Sequence, residues 1–196
     1  MRTNRLEAFS DGVLAIIITV MVLEMKVPHG VDLYSLKPVL PVFLSYILSF
    51  VYIGIYWNNH HHMLYAAQHV NGKVLWANMH LLFWLSLIPF VSGWMGENDF
   101  DTWPVALYGI VLLMAGTAYY ILSRTLVSLH GKESPIAIAL GKDQKGKISL
   151  EIYALAIGLC FVNPRISLGL YSTVAAIWLI PDTRIEKRIV SSQTKE

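Results

Sequence analysis

"RLEAFSDGVLAIIITVMVLE" runs from Arg5 to Glu24. The stretch is almost continuously apolar, and as a helix it is long enough to cross the roughly 30 Å hydrocarbon core of a bilayer. Asp11 nevertheless sits inside it, with Ser10 before it and Thr19 further on. A carboxylate at the centre of a membrane costs at least about 2.5 kcal/mol unless it is paired or hydrated. The rest of the chain must therefore supply its partners.

Composition agrees with a membrane solvent. Of 196 residues, 55% are hydrophobic and only 14% charged, whereas soluble domains carry about 25% charged residues. The net charge of +2 is small, and no basic face with interleaved aromatics is present. Nucleic acid is therefore not an expected partner. Cys160 is the single cysteine, so no internal disulfide framework exists. The first apolar run is too long for a signal peptide, contains Asp11, and is followed by "LEMKVPHG", which offers no small-residue cleavage site. It reads as a retained helix.

Apolar stretches of spanning character recur six times, at about 5–25, 38–64, 72–94, 103–129, 148–162 and 165–180. Pro28 and Gly30 end the first, "GENDFD" follows the third, and "NPR" joins the short fifth and sixth as a tight hairpin. The expectation is an all-α integral membrane protein with six transmembrane helices, one domain over residues 1–183 and a tail at 184–196. The odd-numbered connections hold only Lys26, Lys37 and Arg165, and the other twelve of the 15 Lys and Arg lie on the opposite side. Both termini are thus expected in the cytoplasm. In the longest connection, "PIAIAL" is expected to touch the membrane or pack beneath it.

That topology gathers polar groups at one depth. Arg5, Phe9, Ser10 and Asp11 lie in the inner half of the first helix. "YWNNHHHML" ends the second helix near the same side, and "KVLWANMHLLFW" opens the third. Asp11 is expected to accept hydrogen bonds from Trp57, a nearby His such as His60, or Asn78. Trp57 and His60, three apart, share a helical face. Such a network locks three helices together; a proton relay through Asp11 and a His is the functional alternative.

At 100° per residue, Gly12, Ile16, Thr19, Val20 and Leu23 form a different stripe, which Arg5 and Phe9 extend. Asp11 lies about 140° away from Ile16. An aliphatic ladder of this kind serves packing, lipid contact or, if several chains share an axis, a pore wall that gates by dewetting or forces an ion to shed water.

The signature Arg-x-x-x-Phe-Ser-Asp, followed by an aliphatic run, Thr19 and the closing Leu23–Glu24, resembles the first helix of the transmembrane protein 175 family of potassium channels. "YWNNHHHML", with Trp57, Asn59 and His60, and "NMHLLFWLSLIPF", with Asn78, Ser86, Pro89 and Phe90, resemble the same family. The likeness is close over three helices and extends to the last three in number and hydropathy. It implies a six-helix subunit of the prokaryotic plasma membrane that assembles as a homotetramer, its first helices lining a central pore for potassium. It also implies that Ile16, five positions after Asp11, forms the constriction, with Val20 and Leu23 as further layers and the Thr19 hydroxyl nearby. The chain has no TVGYG filter stretch. An aliphatic ring cannot replace a hydration shell, so weak to moderate selectivity for potassium over sodium is expected. Permeant potassium ions, the bilayer and further copies of the chain are the only implied partners, with no cofactor.

Other chemistries have weaker footing. Three successive His, 60 to 62, point 100° apart and cannot face one metal. Ser10 and Asp11 are adjacent near a helix start, a poor geometry for a nucleophile and its base. A cation- or proton-coupled secondary transporter using Asp11 and the His60 cluster is the main alternative, although no inverted repeat is visible. Glu24, Glu97, Asp99 and Asp101 lie toward the outside, where they concentrate cations or are simply solvated. Trp94, Trp103 and Tyr108 read as interface anchors.

Overall fold

The computed structural model describes residues 3–131, 133–141 and 143–179. The expected tail at 184–196, the domain limit at 183 and the end of the sixth helix at 180 lie outside the described residues.

The described chain is helical throughout, with connecting loops: α1 (Asn4–Leu23), a 3₁₀ segment (Leu33–Val39) leading into α2 (Leu40–Tyr65), α3 (Gly72–Ser86), α4 (Ile88–Glu97), α5 (Thr102–His130), the short α6 (Pro135–Leu140), α7 (Gln144–Leu159) and α8 (Pro164–Leu179). Four spans among the described residues are long and apolar enough to cross a membrane: Asn4–Leu23, Leu33–Tyr65, Gly72–Glu97 and Thr102–His130. The last two expected spans correspond to α7 and α8, of 16 residues each as described. At 1.5 Å per residue they measure about 24 Å, short of a roughly 30 Å core.

Two expected boundaries move for identifiable reasons. The third span is not one helix. Pro89 has no N–H to return to Leu85 and its ring crowds the preceding turn, so α3 stops at Ser86 and α4 begins at Ile88. Leu87 joins them through a tighter bond from its N–H to Trp84 O at 3.3 Å. The fifth helix starts at Gln144, not 148, because Asp143 accepts from Gly146 N–H at 3.2 Å and caps it. Asn71 caps α3 in the same way, accepting from Val74 N–H at 3.1 Å.

α5 is the central post, packed on α3, α4, α7 and α8, while α1 leans on α2, α3 and α4. Helices in lipid gain little from burying apolar surface against one another, so small residues and interhelical hydrogen bonds hold them. Both devices are present. An added Cβ on Gly96 of α4 would come within 2.6 Å of Val42 Cα, so α2 and α4 touch backbone to side. On Gly109 of α5 it would fall on the Tyr171 hydroxyl of α8. Ser49 donates to Ser92 at 2.9 Å, which leaves Tyr108 as the donor to Ser49 at 3.1 Å; α2, α4 and α5 are thereby joined. Tyr52 donates to Tyr171 O at 2.6 Å, and Ser167 to Ala156 O at 2.7 Å. Tyr108 is therefore a buried bundle residue, 0% exposed, and not an interface anchor; Trp103 is exposed as expected. In "PIAIAL", Ile136 is buried and Ile138 exposed, so α6 packs by one face.

Candidate functional site

α1 has two faces. Leu6, Ser10, Leu14, Ile17 and Met21 are buried, at the spacing of one helical stripe. Arg5, Phe9, Gly12, Ile16, Thr19 and Leu23 are exposed, Ile16 by 64% and Leu23 by 76%, and Val20 is half-buried. No neighbour in the subunit approaches a Cβ placed on Gly12 within 4 Å. Thr19 donates its hydroxyl proton back to Ala15 O at 2.9 Å, which leaves only oxygen lone pairs facing outward. Ile16, Val20 and Glu24 border an open groove whose other wall is Pro89, Phe90, Gly93, Trp94 and Glu97 of α4.

On the buried side, a directional chain of hydrogen bonds crosses three helices. Ser10 donates to Leu6 O at 2.8 Å, so its oxygen accepts from Asn78 Nδ2 at 3.0 Å. That orientation turns the Asn78 carbonyl oxygen toward His60 Nε2 at 2.7 Å, so His60 is the donor. His60 is 2% exposed, and its Nδ1 has no hydrogen-bond partner among the described residues.

Asp11 belongs to a second, separate arrangement. Trp57 Nε1–H donates to Asp11 Oδ1 at 3.1 Å, as expected, but neither His60 nor Asn78 reaches it. The residue that shares the face of Trp57 is His61, four positions on, not His60. Its ring stacks on Trp57 at 6.3 Å and its Nδ1 lies 2.7 Å from Glu7 Oε1. Glu7 and His61 escape a sequence reading because they look like ordinary polar residues near helix ends. The available signal is spacing: Glu7 and Asp11 are four apart on α1, as Trp57 and His61 are on α2. Arg5 and Phe9 stand outside both arrangements, on the exposed face. The three successive histidines diverge, His60 toward α3, His61 toward α1, and His62 edge-on to His61.

The sequence matches a family model described as endosomal/lysosomal potassium channel TMEM175 over residues 5–89. It is 54% identical over 189 residues to a potassium channel of Chryseobacterium sp. (strain P1-3), covering 96% of this chain and 98% of that one. The chain belongs to the TMEM175 family. It is also 27% identical to a potassium channel of Streptomyces collinus over 88% of this chain and 89% of the other. The fold is similar to the crystal structure of a lysosomal potassium-selective channel TMEM175 homolog from Chamaesiphon minutus, with a TM-score of 0.76 at 25% identity. The match covers 91% of this chain and 96% of that one. Membership in TMEM175 makes the chain an ion-channel protein and not an enzyme, with several apolar helices in the membrane. Its bacterial TMEM175 relatives place that membrane as the prokaryotic plasma membrane. Helices α1 to α3, which carry both hydrogen-bonded arrangements, fall within the matched segment from Arg5 onward.

Proposed function

We propose that four copies of the chain surround one axis and conduct potassium, each turning the exposed stripe of α1 inward. Ile16 forms the narrowest ring, Val20 and Leu23 add aliphatic layers, Gly12 widens the approach, and the Thr19 oxygens face an ion losing water. The observation that carries the reading is the division of α1. One face is buried or hydrogen-bonded within the subunit, while the Gly12–Ile16–Thr19–Leu23 stripe is exposed, with Ile16 at the edge of an open groove. A wall of that chemistry constricts by dewetting and by size, without carbonyl ligands, which favours weak to moderate selectivity for potassium over sodium. The lysine and arginine distribution supports six crossings with both termini in the cytoplasm. In that topology α7 and α8 are short crossings.

The potassium-channel naming of the bacterial relatives supports the ion. The coupled-transporter reading loses ground because Asp11 and His60 sit in different hydrogen-bonded arrangements, with no direct bond to pass a proton. The test is reconstitution into liposomes with potassium and sodium flux measured separately, beside the native mass of the oligomer. Flux that requires a coupled gradient, or a mass other than four chains, sinks the proposal.

A further inference from the structure

Helices α2, α5, α7 and α8 enclose a cavity of about 40 Å³. Its walls are aromatic: Tyr52 and Tyr56 of α2, Tyr119 and Tyr120 of α5, Tyr153 of α7 and Trp178 of α8. Among the described residues, Asp143 at the start of α7 is the one charged group that lines it. We propose that this cavity is a binding site for a small organic ammonium ion of about trimethylammonium size, seated among the tyrosine rings with its charge toward Asp143. The proposal goes beyond the reading of α1 as the pore wall and does not depend on it, because α1 lends no described residue to the cavity.

The walls are held in place by contacts between helices. Tyr56 meets Tyr119 edge-on with ring centroids 6.1 Å apart, and Tyr52 tilts against Tyr153 at 6.3 Å. Trp178 donates its Nε1–H to Ser149 at 2.8 Å, and Ser149 commits its own proton to Lys145 O at 2.8 Å. The indole donor is thereby used, which leaves Trp178 only π surface to offer an occupant. Tyr52, Ser149 and Tyr153 are buried, whereas Tyr56, Tyr119, Tyr120 and Asp143 are half-buried. The cavity therefore has a closed floor and a rim that reaches the surface.

The groups left open on the wall select a cation. Asp143 Oδ1 accepts from Gly146 N–H at 3.2 Å, and no cationic side chain pairs with this carboxylate among the described residues. Asn59 spends its Nδ2 on Ile55 O at 2.8 Å, which leaves its amide oxygen as an acceptor. The Tyr56 hydroxyl makes no hydrogen bond among the described residues. One ring of the set already holds a cation: the Arg124 guanidinium carbon lies 5.0 Å from the Tyr120 centroid, and Arg124 itself does not line the cavity. Tyrosine and tryptophan faces attract an ammonium ion through their ring quadrupoles, more strongly as water is removed. The carboxylate adds a charge-assisted partner. An anion would be repelled by Asp143, and a neutral apolar occupant would leave the carboxylate without a partner.

The experiment is the unfolding midpoint of the full chain in detergent, titrated with trimethylammonium chloride. Sodium chloride balances the ionic strength over a constant potassium chloride background, and tert-butanol serves as the neutral molecule of the same shape. Trimethylammonium should raise the midpoint saturably and bind about tenfold more tightly than tert-butanol, or better. Asp143→Asn, which still caps α7, should weaken trimethylammonium binding about tenfold, and Tyr56→Leu should weaken it about fivefold. Trp178→Phe keeps an aromatic wall, so it should keep the rise in midpoint while losing the change in tryptophan emission that accompanies filling. This readout serves if Tyr56→Leu does not fold. A rise that tert-butanol matches, a rise undiminished in Asp143→Asn, or an emission change that persists without Trp178 overturns the site. The flux and selectivity of Ile16→Asn test the pore wall separately.

Discussion

Asn78 stands between His60 and Ser10, receiving a hydrogen bond from His60 Nε2 at 2.7 Å and giving one to Ser10 at 3.0 Å. The chain runs one way only, because the Ser10 proton is committed to Leu6 O. Asn78→Leu keeps the volume but strands the buried His60 donor. Interhelical hydrogen bonds in membranes are worth about 0.6–2 kcal/mol, and an unsatisfied buried group costs about 1–3 kcal/mol. Thermal unfolding in detergent should show Asn78→Leu destabilised by about 2–4 kcal/mol. Ser10→Ala should lose less, and the double variant should lose less than the sum of the two. Additive losses would break the link between Ser10 and Asn78.

Ile16 predicts the reverse pattern. Its side chain touches little of its own subunit, so Ile16→Asn should change subunit stability by no more than about 0.5 kcal/mol. The same variant should raise sodium flux relative to potassium flux in liposomes. Large destabilisation with unchanged flux would make Ile16 a packing residue.

Gly96 and Gly12 form a second contrast. Gly96→Ala drives a methyl into the α2 backbone at Val42 and should cost about 1–3 kcal/mol, read as a lowered unfolding midpoint. Gly12→Ala meets nothing within 4 Å in the subunit and should leave the dissociated chain unaffected. A change confined to the oligomer, read by native mass and flux, is expected there.

Lys26 bridges the loop after α1 to the end of α4, with Nζ 2.7 Å from Glu97 Oε1. The hydrogen bond to Glu97, more than its charge, lifts the Lys26 pKa above the ordinary 10.5. A raised folded pKa means that its stabilisation is fully present below 10.5 and is lost as pH climbs through the folded value. Both side chains are well exposed, so the effect is small and shrinks with salt. Lys26→Met should flatten the alkaline limb of the unfolding midpoint against pH. The swap of Lys26→Glu with Glu97→Lys should restore it, and failure to do so would deny the pair any role.

Much of this molecule is legible before any coordinates. The first four of the six apolar runs become the four spans able to cross a membrane, the third of them as two helices, and the need of Asp11 for a donor points to Trp57, which supplies it. The break at Leu87 was signalled by Pro89, yet hydropathy ran straight across it, because a proline two residues into a new helix leaves the apolar pattern intact. Tyr108 misled for a related reason: a tyrosine near a helix end suits an interface, and only the hydroxyl of Ser49 shows that it has a buried partner. The start of α7 was hidden by charged residues that a side-chain cap at Asp143 draws into the first turn.

By itself, then, the sequence determined the solvent, the helices and the two faces of α1, since these depend on hydropathy and on a fixed turn of 100° per residue. It also pointed to Ser10, Asp11, Trp57, His60 and Asn78 as groups that α1, α2 and α3 bring together. Tertiary structure alone decided who bonds to whom: Asn78 with Ser10 and His60, Asp11 with Trp57, Glu7 with His61. Hydrogen bonds discriminate over tenths of an ångström and tens of degrees. Periodicity fixes which way a side chain leaves its own helix, but not the axial register and rotation of the helix it meets.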